Sequence, residues 1–136
     1  MSRIICIDWG AKRCGIAATD LLRMIASPLT TVETGGIMAW LKDYLSREDV
    51  GIILVGEPLN MDGSDTHATG PAKQFVKKLI KEFPALQVIT TDERMSSKMA
   101  SRALIDMGMK KKKRQEKGQL DQVAAAMMLQ EYLERF

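Results

Sequence analysis

Cysteine is scarce in this chain: Cys6 and Cys14 are the only two in 136 residues. Two cysteines set in apolar runs are too few for a disulfide framework and lack the spacing of a zinc site. Both are read as reduced thiols, which points to the cytoplasm. An excess of one charge is lacking too. Twenty basic residues face seventeen acidic ones, and a net charge of +3 implies no partner by itself. Aromatic residues make up only 5%, so platforms for stacking bases are few. The single histidine, His67, falls where a loop meets a helix and is assigned no role. No apolar run reaches membrane-spanning length, so no membrane partner is expected. The N-terminus shows no signal-peptide pattern, and the chain has no internal repeat and no G-x-x-x-x-G-K-S/T phosphate loop. What is present is 46% hydrophobic and 27% charged, enough for one domain over residues 1–136 with a real core.

The opening stretch organises that domain. Ile4-Ile5-Cys6-Ile7 is an unbroken apolar run ending in Asp8, the pattern of a strand buried on both faces. Trp9-Gly10 and the basic pair Lys12-Arg13 make a turn, and a second apolar run follows from Cys14. Strands are expected over residues 3–9, 13–19 and 24–33, the third at an edge because of Pro28. Ile37, Trp40, Leu41, Tyr44 and Leu45 recur at helical spacing. Residues 50–56 read as another buried strand. Ala72, Phe75, Val76, Leu79, Ile80 and Phe83 stripe a helix that Pro84 stops. Residues 86–90 form a strand, residues from Ser96 to Gly108 a helix, and residues 119–134 a last helix packed through Leu120, Val123, Ala124, Met127 and Met128. The order β-β-β-α-β-α-β-α-α predicts an α/β fold: a mixed five-stranded sheet with helices on both faces and strand two antiparallel to strand one.

Three of these strands end in acids: Asp8, Glu57, and the pair Asp92-Glu93. In open α/β sheets, sites form beyond the carboxyl ends of parallel strands. Asp121 adds a fourth acid, near the start of the last helix. Its helical neighbours Ala125, Met128 and Tyr132 place it beside the buried stripe. Clustered carboxylates repel each other unless a cation neutralises them, and hard divalent ions such as Mg²⁺ or Mn²⁺ suit oxygen ligands. Such ions activate water and stabilise the leaving oxygen of a phosphodiester. Plainer roles compete with these. Asp8 caps a turn or pairs with Lys12 or Arg13, and Asp121 compensates a helix dipole from the first turn. Six of the twenty basic residues lie between Lys110 and Lys117, a solvated run suited to a polyanion.

The residues 7–17, Ile-Asp-Trp-Gly-Ala-Lys-Arg-Cys-Gly-Ile-Ala, resemble the opening motif of the YqgF/RuvX family. Pro58-Leu59-Asn60-Met61-Asp62-Gly63-Ser64 resembles its second signature, and Asp92-Glu93-Arg94 its Asp-Glu-Arg motif. The basic loop and the alanine-rich helix from Asp121 resemble its C-terminal end. Four motifs in order over the whole chain are a specific signal. The resemblance implies an RNase H-like fold related to Holliday junction resolvases, and a cytoplasmic nuclease for the 5′ end of pre-16S rRNA. It implies Asp8, Glu93 and Asp121 as catalytic acids. Metal ligands for Mg²⁺ or Mn²⁺ are then drawn from Asp8, Asp92, Glu93, Asp121 and Glu57. Glu57 departs from the family, which often has an apolar residue there. Within the Asp92-Glu93 pair only one is expected to reach the metal, because successive strand residues face opposite sides. Substrate contacts are expected from Lys12, Arg13, Arg94, Lys111, Lys112, Lys113 and Arg114.

The expected partner is nucleic acid, precursor rRNA ranked ahead of branched DNA, with the chain acting as a monomer or homodimer. Three other readings compete. A Holliday junction resolvase would act on branched DNA. The opening motif also resembles the phosphate loop of actin-like ATPases and sugar kinases, which saturable ATP binding would reveal. A non-catalytic nucleic-acid-binding module would bind through the basic loop without metal-dependent cleavage.

Overall fold

The computed structural model describes residues 2–57, 69–92 and 117–135, and the side chains of these except at 57, 69, 92, 117–120 and 135. The apolar run ending in Asp8 is β1, Arg3–Asp8, and the run after the basic pair is β2, Arg13–Thr19. They pair antiparallel, with Asp8 opposite Gly15. Next comes β3, Ala26–Glu33, antiparallel to β2. A 3-10 turn, Thr34–Gly36, leads into α1, Ile37–Arg47. That helix carries the chain to β4, Val50–Glu57, parallel to β1. A second crossover through α2, Thr69–Glu82, leads to β5, Gln87–Asp92, parallel to β4. The sheet order is β3-β2-β1-β4-β5, with β1 at the centre and β3 at an edge. The last described element is α3, Lys117–Arg135. The expected mixed five-stranded sheet, with strand two antiparallel to strand one, is the sheet observed.

The period-two alternation of β1 sorts the core into two layers. Ile5, Ile7 and Trp9 pack with Ile53, Val55, Leu41, Phe75 and Leu79 on the face covered by α1 and α2. Ile4 and Cys6 pack with Ala17, Leu54, Ala125, Met128 and Leu129 on the face covered by α3. Helices therefore cover both faces, and β1 is buried on both sides, which is why its sequence shows no alternation. Both cysteines are buried, and neither is in a disulfide. Gln130 tightens α3 onto the edge strand by accepting a hydrogen bond from the Ala26 N–H at 3.1 Å. No helix among the described residues is long and apolar enough to cross a membrane.

Several expected boundaries shift for physical reasons. The third strand begins at Ala26 and not at Met24, because Asp20 Oδ1 accepts the N–H groups of Met24 and Ile25, each at 2.9 Å. Those donors are spent on the turn and unavailable to a ladder. Ile80, expected in the buried stripe of α2, is 53% exposed; the stripe is narrower than its apolar count and runs through Ala72, Phe75 and Leu79. On α3, Ala125 and Leu129 are buried while Met127 is half-buried. The expected 96–108 helix, the 110–114 basic run, the 58–64 signature loop and His67 lie outside the described residues.

Candidate active site

The site forms at the C-terminal end of β1, where Asp8 stands between Gly15 of β2 and Gly56 of β4. Two glycines as register neighbours leave the ground around Asp8 open to whatever approaches from the α3 side. What approaches is α3 itself. A methyl group added at Gly15 would overlap the backbone carbonyl of Asp121, so this glycine is what lets the helix lie directly on the strand. The alternation that puts Ile4 and Cys6 on the α3 face puts Asp8 there too, and close packing at Gly15 brings Asp121 to it.

Their electrostatics follow from that placement. Burial pushes the Asp121 carboxyl up to about 6, the neighbouring Asp8 carboxylate adds to the rise, and the Arg13 guanidinium opposes it. Arg13 Nε lies 3.5 Å from Asp121 Oδ2, with the two side chains 34% and 31% exposed. The competing reading, in which Asp121 compensates the helix dipole from the first turn, does not hold. The helix starts at Lys117, which makes Asp121 its fifth residue, and no acid lies in the first turn. Burial also pushes the Cys14 thiol up, with smaller upward contributions from Asp8 and Asp121. That thiol is a neutral part of the core, not a nucleophile.

A raised carboxyl has a measurable consequence. The native state holds the Asp121 proton more tightly than the unfolded chain, whose value is 3.8 against about 6 in the fold. Between these values the native state binds more protons, so the stability of metal-free protein should fall as pH rises through that window. Asp121→Asn should remove this component of the slope. Melting temperatures of both proteins in chelator from pH 4 to pH 7 check it; parallel curves would count against the acid pair.

The turn that carries Asp8 is anchored by residues the sequence did not single out. Trp9 is buried against Phe75 of α2, with ring centroids 6.5 Å apart. Thr34 donates its hydroxyl hydrogen to the Gly10 carbonyl, and its N–H bonds the Lys12 carbonyl at 3.0 Å. Trp9 therefore anchors one side of the turn and Thr34 the other. Thr34 lies 24 residues from Gly10 in the sequence, and no local pattern reveals such a contact.

The family model described as RuvX, Holliday junction resolvase, matches residues 2–135. The chain belongs to the RuvX family. It is 45% identical over 135 residues to a Flavobacterium psychrophilum protein named "Putative pre-16S rRNA nuclease", covering 99% of this chain and 98% of that one. A Christiangramia forsetii protein of the same name is 44% identical over 133 residues, covering 98% of each. Among solved structures, the fowlpox virus Holliday junction resolvase superposes with a TM-score of 0.61 at 15% identity, covering 98% of this chain and 99% of that one. RuvC of T. thermophilus, solved in complex with Holliday junction substrate, gives 0.58 at 20% identity, covering 99% and 95%. These neighbours agree with the expected RNase H-like α/β fold.

Of the acids expected in this RuvX-family site, Asp8 and Asp121 are brought together. The backbones of Glu57 and Asp92 are register partners at the ends of β4 and β5, one level beyond the Asp8–Gly56 pair. Glu93, Arg94, Lys111, Lys112, Lys113 and Arg114 lie outside the described residues. Lys12 is exposed on the turn after Asp8. Arg13, expected either to bind substrate or to pair with Asp8, reaches Asp121. Among the described residues, no three of His, Cys, Asp and Glu converge as a complete metal site. Two carboxylates that repel each other are nonetheless the donor chemistry a hard divalent ion would relieve.

Proposed function

We propose that this chain is a divalent-metal-dependent nuclease that hydrolyses phosphodiester bonds, acting on the 5′ end of pre-16S rRNA. The observation that carries the reading is the meeting of Asp8 and Asp121 at the carboxyl end of the central strand. Full-length identity of 44–45% to relatives named for that substrate supports the choice of RNA. Asp8, Asp121 and a third acid would hold Mg²⁺ or Mn²⁺. Bound there, the ion supplies Lewis-acid activation of a water and charge for the leaving oxygen. Lys12, Arg13, Arg94 and the 111–114 run serve the phosphates of the substrate. Residues 1–136 act as one domain in the cytoplasm, where Cys6 and Cys14 stay reduced.

For the third acid the reading takes Glu93. Ile89 of β5 packs in the layer under α3, the layer of Ile4 and Cys6. The same two-residue period gives Thr91 Asp8's face, and Glu93, the member of the pair that the family resemblance counts among the catalytic acids, follows Thr91 by two positions in the sequence. On β4, Leu54 and Gly56 belong to the α3 side. Glu93→Gln should therefore cost cleavage about 100-fold or more, as loss of a group at the reacting centre does, while Asp92→Asn and Glu57→Gln stay within about tenfold of wild type. Initial rates for the three variants separate them; the reverse ranking would reassign the ligand.

The reading itself is tested with three labelled substrates: precursor rRNA, a four-way DNA junction and single-stranded RNA, each with Mg²⁺, Mn²⁺ or chelator. Metal-dependent cut ends on the precursor support it. Cleavage of the junction alone would favour resolvase activity, the reading suggested by the family description, and would call for a dimer on a symmetric substrate. Binding without cleavage in any condition would leave a non-catalytic module. Replacing Lys111, Lys112 and Lys113 by Gln should flatten the salt dependence of RNA binding by about two to three units of slope; an unaltered slope would take the loop off the interface.

A further inference from the structure

We infer that Arg13 is the resident counter-cation of the Asp8–Asp121 pair: its guanidinium holds the place of the divalent ion in the metal-free protein and turns to a substrate phosphate once that ion is bound. The inference rests on the nuclease reading above, since it takes these two acids as the holders of the metal.

The argument begins with position. Arg13 opens β2 two residues before Gly15, so strand alternation gives it the same face as Gly15, Asp8 and α3. It thus enters the acid site from the strand side while Asp121 enters from the helix. Two carboxylates sharing a half-buried place cannot both be ionised cheaply, and Arg13 supplies the opposing charge from within the chain.

The quality of its contact matters next. Arg3 shows how a structural arginine is held here: its Nε donates to Glu48 Oε2 at 3.2 Å and a terminal nitrogen donates to the Thr19 carbonyl at 2.9 Å. Arg13 meets Asp121 at 3.5 Å through Nε, with both side chains about one-third exposed. Ion pairs of that exposure contribute little to stability and exchange readily. A divalent ion carries twice the charge and binds carboxylate oxygen directly, so Asp121 goes to the metal in preference to Arg13. The released guanidinium remains tethered beside the acids, with a planar fork matched to phosphate. Metal loading and phosphate capture are thereby linked through one side chain.

The test measures Mn²⁺ affinity of the full chain by EPR of free Mn²⁺, with no substrate present. Arg13→Gln should bind Mn²⁺ about fivefold more tightly than wild type, because the competing cation is gone. Arg13→Lys, which keeps the charge, should stay near wild type. An arginine that merely braces α3 predicts the opposite sign: Arg13→Gln would let Asp121 drift and weaken Mn²⁺ binding, and that result overturns the inference. Should Arg13→Gln fail to fold, wild-type protein labelled with ¹⁵N decides the matter. Saturating Mg²⁺ should shift the Arg13 Nε–Hε cross-peak and speed its exchange with water; an unmoved peak overturns the inference. Asp8→Asn locates the metal. If it binds Mn²⁺ as wild type does, the ion is elsewhere and the nuclease reading fails together with this one. Binding that depends on Asp8 but ignores Arg13 defeats only the inference.

Discussion

Asp8→Asn is expected to lower cleavage by about a thousandfold or more, on the basis of several kcal/mol of metal-borne stabilisation at about 1.4 kcal/mol per decade. The amide keeps the shape of the side chain and removes the charge that offsets a cation. The fold should survive, because β1 is held by Ile4, Ile5, Cys6 and Ile7, all nearly inaccessible to solvent. Metal-free protein should melt slightly higher than wild type at pH 7. The Asp8 carboxylate helps push Asp121 upward, and the variant relieves that repulsion. A turn-capping role for Asp8 predicts the reverse pattern, a stability loss of about 1 kcal/mol with cleavage retained. Melting curves with and without Mn²⁺, run beside a cleavage assay, distinguish the two. If Mn²⁺ stabilises wild type and Asp8→Asn equally, Asp8 is not a ligand.

Gly15→Ala is the second large effect, and it replaces no catalytic side chain. The added methyl would overlap the Asp121 backbone carbonyl and crowd its Cβ. Backbone cannot swing aside as a flexible side chain can, so either β2 or the start of α3 must shift. Overpacking of this kind costs about 1–3 kcal/mol. The more telling loss is activity. Displacing Asp121 by about 1 Å relative to Asp8 can cost about 100-fold. The controls are Gly35→Ala and Gly36→Ala, where an added methyl meets nothing within 4 Å; both should melt and cleave as wild type does. A Gly15→Ala protein with unchanged melting temperature and full cleavage would mean that α3 is not seated on β2 as described.

Much of this fold was legible because its signals are local. A short apolar run such as Ile4–Ile7, closed by an acid and a glycine-bearing turn, reads as a strand covered on both sides, and an acid closing that run is costly to bury without a partner. The helical stripes of α1 and α2, the edge position forced by Pro28 and the antiparallel return of β2 follow from spacing and turn chemistry in the same way. Boundaries were less legible. The strand starts at Ala26 because one side chain, Asp20, captures two backbone donors, and Ile80 is exposed because the helix has a narrower seat than its apolar residues suggest.

The sequence by itself determined which residues are chemically equipped: Asp8 at a strand end, Asp121 beside a buried stripe, and basic groups at Lys12 and Arg13. Those properties depend on residue type and short spacing, which a linear chain displays. Only the tertiary structure decided how residues 8, 13 and 121 come to lie together. Gly15 lets a helix more than one hundred positions away press on β2, and Thr34 and Trp9 fix the turn from opposite sides. The pairing of Arg13 with Asp121, and the rise of Asp121 under burial and Asp8, arise from packing between distant segments. Electrostatic coupling depends on distance through space and on the local dielectric, and neither is written in the order of residues.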